Sequence, residues 1–136
     1  PIGRHQGLMY YTLGQRHGLQ IGGISAAADE PWYVVGKLLE GNRLIVAQGH
    51  DNPLLYRSRL TACQLHWVAG RSPDSPLRCS ARCRHRQPLQ DCTATIVDGR
   101  LLIDFDRPQR AITPGQSVVL YDGDVCLGGG IIDQAI

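Results

Sequence analysis

The segment Arg78-Cys79-Ser80-Ala81-Arg82-Cys83-Arg84-His85-Arg86-Gln87 concentrates the side chains best able to hold an anion. In an extended strand, successive side chains point to opposite faces. Arg78, Ser80, Arg82, Arg84 and Arg86 then share one face, and Cys79, Ala81, Cys83, His85 and Gln87 share the other. Neighbouring arginines on that face would stand ~6.6 Å apart. Like charges at that spacing repel unless an anion lies against them. The anion is either a set of carboxylates on adjoining strands, for which Asp91, Asp104 and Asp106 are candidates, or a run of phosphates, which arginine grips bidentately. Thirteen of the fourteen basic residues are Arg, a side chain that also stacks on bases.

The other reactive side chains form no complete catalytic set. The five cysteines are Cys63, Cys79, Cys83, Cys92 and Cys126, with no Cys-x-x-Cys pair. In a strand, Cys79 and Cys83 would lie ~13 Å apart, too far for a disulfide or a shared metal. They read as small apolar core residues. Cys63 and His66 fall on opposite faces of a strand, which argues against a nucleophile–base pair. His5 lies among glycines, where it can bond to backbone or face a ligand. Gly128-Gly129-Gly130 lacks the Lys and Ser/Thr of a phosphate loop and reads instead as a close backbone approach. There is no His-Glu-x-x-His pattern, and no metal site is expected.

The elements that must position these residues are short strands. The chain has 136 residues, 43% hydrophobic and 19% charged, with 16 Gly and 8 Pro. These values argue against disorder and favour many turns over long helices, and no apolar run approaches the ~20 residues of a membrane span. The net charge of +2 hides a gradient. Residues 71–97 carry five Arg against two Asp, and residues 98–136 three Arg against six Asp. An odd cysteine count with no basic-then-apolar leader fits a reducing cytoplasm.

Residues 1–23 read as loops around a short helix, Leu13–His17, capped by Thr12 and stopped by Gly18. Trp32–Leu39 and Arg43–Gln48 read as a hairpin about Glu40-Gly41-Asn42. Residues 70–77, with Pro73 and Pro76, read as a connection. Six short segments follow: 78–87, 92–97, 101–105, 108–110, 117–121 and 125–132. Asp98-Gly99 and Asp122-Gly123 mark hairpins. The fold expected is mainly β, with a small β-rich domain over 1–70 and a six-stranded antiparallel barrel over 71–136.

Several longer strings carry a resemblance. They are Gly3-x-His5-x-Gly7-Leu8 with Tyr11-Thr12-Leu13-Gly14-Gln15-Arg16-x-Gly18-Leu19 and Ile21-Gly22-Gly23, then Pro31-Trp32-Tyr33-Val34, and Gln48-Gly49 with Pro53-x-Leu55-Tyr56. Arg84-x-Arg86-Gln87, Pro108-Gln109-Arg110-Ala111-x-Thr113-Pro114-Gly115-Gln116-Ser117 and Tyr121-Asp122-Gly123-Asp124-x-Cys126-Leu127-Gly128-Gly129-Gly130 complete the set. Together they resemble the bacterial tRNA-specific 2-thiouridylases, over essentially the whole chain.

That resemblance implies a parent enzyme in three parts. An N-terminal PP-loop domain adenylates the wobble uridine with ATP and Mg²⁺, and a persulfide delivered by a sulfur-donor protein replaces the oxygen. A central domain and a barrel like the second domain of elongation factor Tu hold the tRNA. This chain matches the last two parts, begins without Met, and lacks the Ser-Gly-Gly-x-Asp-Ser nucleotide loop. No catalytic residue and no cofactor is expected within it. The implied tRNA-binding residues are Arg82, Arg84, His85, Arg86, Gln87 and Gln116, with His85 standing where the family usually has Tyr. His5, Gln6, Gly7, Tyr11, Gln15 and Arg16 are implied to face the catalytic domain and substrate. The alternative reading is a translation-factor-like binding module whose arginines pair with its own Asp104 and Asp106.

Overall fold

Alternating apolar residues and tight turns give eight strands, and no α-helix forms among the described residues. The computed structural model describes residues 2–19 and 30–136. The Ile21-Gly22-Gly23 string lies outside them. The chain divides into two compact units, Pro1–Tyr56 and Arg57–Ile136.

In the first unit, β1 (Trp32–Leu38) and β2 (Arg43–Gln48) pair antiparallel, from Trp32 opposite Gln48 to Leu38 opposite Arg43. The reversal uses Gly41 and Asn42, both at positive φ. A lone hairpin is marginal in water. Here the N-terminal segment adds to it: Gly14 N–H donates to Val34 O at 2.8 Å, and Val34 N–H donates to Gln15 O at 3.0 Å. Those bonds explain why the expected helix over 13–17 is absent. The backbone groups that would close its turns go to β1 instead, leaving only turns at 13–14 and 17–18. Single-turn 3-10 helices occur at Leu8–Tyr10 and Pro53–Leu55. The second is capped by Asn52, whose side-chain oxygen accepts from Leu54 N–H, and has Pro53 in its first turn.

The second unit is a closed six-stranded barrel. Its strands are β3 (Tyr56–Trp67), β4 (Leu77–Arg82), β5 (Gln90–Val97), β6 (Arg100–Arg110), β7 (Ser117–Asp122) and β8 (Val125–Ala135). Around the barrel the order is β3-β6-β5-β4-β7-β8, so no strand edge is left open. Period-two burial fills the interior with Leu60, Ala62, Ala81, Cys92, Ala94, Leu101, Ile103, Phe105, Val118, Leu120 and Ile132. Cys79 and Cys83 pack against this core, as small apolar residues would. Closure depends on Gly128 and Gly129 in β8. A Cβ on Gly128 would overlap His66 O, and one on Gly129 would overlap Val118 O.

The barrel departs from expectation in three places. Its sixth strand is β3, so the unit begins at Arg57 and not at residue 71. The Pro-rich stretch before β4 is a connection inside the barrel. The segments 101–105 and 108–110 are one strand, because Pro108 lies past the β5 register, which ends at Phe105 opposite Cys92. The last hairpin turns at Gly123–Asp124, one residue later than expected, whereas Asp98–Gly99 turns with both residues at positive φ.

Candidate nucleic-acid interface

The antiparallel order sets what meets at one end of the barrel. The C-termini of β4 and β6 and the N-termini of β5 and β7 all reach the same end. The 83–89 and 111–116 connections therefore lie together there. Residues 75–90 and 107–121 contain no Asp or Glu. Their meeting gathers Arg82, Arg84, Arg86, Arg107 and Arg110, with Asp91, Asp106 and Asp133 as carboxylates on the strand segments beside them.

The arginine stripe is shorter than the sequence implies. Arg78, Ser80 and Arg82 do face outward from β4, with Cys79 and Ala81 inward. The strand stops at Arg82, and Arg84–Gln87 is a turn closed by Gln87 N–H donating to Arg84 O at 3.1 Å. Arg84, His85 and Arg86 are thus exposed at a loop tip and do not share a strand face.

Each arginine has its own surroundings. Arg78 makes a bidentate pair with Asp106, at 2.7 and 2.8 Å. That hydrogen bond and charge hold the Asp106 carboxyl below the usual carboxylate range and push the Arg78 pKa up. Arg82 lies over the Tyr121 ring, 5.2 Å from its centroid, and donates to Tyr121 Oη at 3.1 Å. Arg84 Nη2 donates to Ala111 O at 3.0 Å, tying the two loops together. Ala111 itself is in the left-handed region, at φ 54°. Arg86 has no bonded partner among the described residues.

A chain of amides fixes the turn from beneath. Gln87 Oε1 accepts from Cys83 N–H at 3.2 Å, and Gln87 Nε2 donates to Gln109 Oε1 at 2.8 Å. Gln109 is only 6% exposed. Its Nε2 donates to Arg107 O at 2.9 Å and reaches Gln90 Oε1 at 3.5 Å. Gln87 is thus a half-buried support of the turn. Burial at the same spot pushes the Cys83 thiol up to about 11. Gln116, in the partner loop, holds a sequestered side-chain oxygen with no hydrogen-bond partner among the described residues. Sequence reasoning missed Gln109, Arg107, Arg110 and Tyr121, because their roles come from contacts between distant strands.

The first unit's candidate residues are also bonded to one another. His5 Nδ1 accepts from Gly7 N–H at 3.0 Å, so its Nε2–H donates to Asn42 O at 2.8 Å. Gln6 N–H donates to Tyr11 Oη at 3.0 Å, and Tyr11 is buried. Gln15 accepts from Thr12 N–H and donates to His17 O, so its side chain shapes its own loop. Arg16 is exposed.

The Gly128–Gly130 run is wedged inside the sheet, and among the described residues no three metal-ligating side chains converge. Among the described residues no helix is long and apolar enough to cross a membrane.

Known proteins match along the same division. The tRNA methyl transferase PRC-barrel domain family matches residues 1–48. The aminomethyltransferase beta-barrel domain family matches residues 57–132. The tRNA-specific 2-thiouridylase MnmA of Methylococcus capsulatus is 59% identical over 135 residues, covering 97% of this chain and 36% of that protein. The chain belongs to the aminomethyltransferase beta-barrel domain family and, along almost its whole length, is similar to tRNA-specific 2-thiouridylases. The thiouridylases of Marinobacter nauticus and Alcanivorax borkumensis are each 56% identical, over 98% of this chain and 34% and 37% of their own lengths. The chain thus spans about a third of the curated thiouridylases it matches. The mainly β fold with its closed antiparallel barrel agrees with the family reading.

Proposed function

We propose that this chain is the tRNA-binding and tRNA-positioning part of a 2-thiouridylase acting on the anticodon wobble uridine. The observation that carries it is the meeting, at one barrel end, of two segments free of acidic residues, with Arg84, His85, Arg86 and Arg107 exposed. Arg84 and Arg86 meet phosphates, Arg82 on Tyr121 offers a stacking platform, and His85 and the Gln116 side chain offer polar contacts. Gln87 acts by holding the turn that presents them. ATP, Mg²⁺, uridine adenylation and sulfur transfer belong to a PP-loop domain of the parent enzyme, in the cytoplasm, with a sulfur-donor protein as partner. The fragment by itself does not catalyse the reaction. His5, Gln6, Gly7, Tyr11, Gln15 and Arg16 form a stiff loop surface turned toward that domain and the substrate.

A second reading, a binding module without an enzymatic role, draws on one observation. Arg78 and Arg59 pair with Asp106 and Asp104, so part of the positive charge is answered within the barrel. The two readings separate on tRNA binding followed by fluorescence anisotropy across a salt series. In the first, replacing Arg82, Arg84 and Arg86 by Ala weakens binding and lowers the slope of log affinity against log salt by about 2–3. An unchanged slope favours the second.

A further inference from the structure

Cys79 and Cys92 are directly opposed partners on the antiparallel strands β4 and β5. Opposed residues point to the same side of a sheet, here the barrel interior, with Cα atoms about 4.5–5.5 Å apart. A disulfide accepts Cα separations of about 4.4–6.8 Å. The two Sγ atoms already stand 3.7 Å apart. Among the described residues no other two thiols lie within hydrogen-bonding distance of each other. We propose that Cys79 and Cys92 are a thiol–disulfide exchange site, converted to a cross-strand disulfide by low-molecular-weight disulfides of the glutathione type and returned by thiols.

The two cysteines have different parts in the exchange. Cys79 is partly open, whereas Cys92 is fully buried. An S–H···S bond from Cys92 and the neighbouring Arg78 guanidinium lower the Cys79 pKa, while the same bond and burial raise that of Cys92. The Cys79 thiolate attacks one sulfur of the small disulfide. That S–S bond breaks, a mixed disulfide forms on Cys79, and one small thiolate leaves, taking the proton that Cys79 gave up. Cys92 then attacks Cys79 Sγ. Its proton goes to the second small thiolate as the mixed disulfide breaks. The protein loses two protons and two electrons, and one small disulfide becomes two thiols. The bond ties β4 to β5 four residues before Cys83–Gln87, the stretch held by the amide chain.

The test incubates the 136-residue chain with oxidised glutathione, traps free thiols by alkylation, and maps peptides without reduction. The expected product is a Cys79–Cys92 cross-link lighter by two hydrogens, reversed by dithiothreitol. Cys79→Ser leaves Cys92 unmodified and gives no cross-link. Cys92→Ala, checked for native circular dichroism, stalls as glutathionylated Cys79. A wild-type chain that itself stalls at glutathionylated Cys79, or leaves Cys79 free to be alkylated, overturns the proposal. A wild-type chain whose first cross-link joins any other pair of cysteines does the same.

Discussion

Gln109→Leu removes the centre of the amide chain while keeping its bulk. Two well-formed hydrogen bonds disappear, from Gln87 Nε2 at 2.8 Å and to Arg107 O at 2.9 Å. The reach to Gln90 at 3.5 Å is at the limit of a bond and adds little. At about 1 kcal/mol net for each good bond, the barrel should lose about 2 kcal/mol. The apolar replacement leaves no new polar group behind, and water can reach the half-exposed Gln87, so the full penalty for burying orphaned groups does not apply. For a unit of 80 residues, 57–136, that loss lowers Tm by about 8–16 °C. Thermal unfolding measures the global effect, and hydrogen exchange at Cys83 N–H measures the local one, since that amide bonds to Gln87 Oε1. Exchange there should accelerate more than at the mid-barrel amides of β5. Gln109→Glu keeps the acceptor facing Gln87 but buries a carboxylate oxygen against the Arg107 and Gln90 oxygens, so it should cost at least as much stability as Leu. Unchanged Cys83 exchange in Gln109→Leu would refute the idea that the buried glutamine holds the arginine turn.

Four further outcomes follow from single residues. Asp106 has its pKa lowered by Arg78, so its contribution is present above the ordinary aspartate pKa of about 3.9 and is lost as pH falls through the native value. The difference in urea midpoint between wild type and Asp106→Asn should therefore be constant near neutrality and shrink below about pH 4. Gly129→Ala forces a Cβ into Val118 O in the closing strands and should lose at least about 1–3 kcal/mol in urea unfolding. Gly115→Ala, in open space at φ +89°, should lose only the left-handed backbone strain of about 1–2 kcal/mol. Cys83, raised to about 11 by burial, should be alkylated at pH 8 roughly a hundredfold more slowly than an ordinary thiol, and faster with each unit of pH.

The legible parts of the fold were those set by local chemistry. Val and aromatic alternation around Gly41-Asn42 marked the β1–β2 hairpin, and Asp98-Gly99 marked the β5–β6 turn. The outward face of Arg78 and Arg82 followed from strand period alone. The illegible parts were set by distant partners. β3 was hard to assign because Gln64 sits at φ 52° and the register with β8 shifts between Cys63 and His66, which disrupts its alternation. The end of the arginine stripe at Arg82 had no local signal either. The residues 83–87 contain no Gly, Pro, Asn or Asp, and the turn is fixed by Gln87 reaching Gln109 across the barrel. The first turn of the expected helix yielded to β1 for the same reason, since tertiary hydrogen bonds outcompeted a short capped segment.

The central claim is that one end of the barrel binds tRNA, and charge placement tests it most directly. Arg84→Ala/Arg86→Ala removes two charges from the candidate end, and Arg71→Ala/Arg100→Ala removes two from the opposite end, where β3 leads into β4 and β5 into β6. The measurement is the slope of log tRNA affinity against log salt for the wild type and both variants. The first variant should lower the slope by about 2, and the second should leave it near the wild-type value. Equal losses in the two variants, or no loss in the first, would contradict the account.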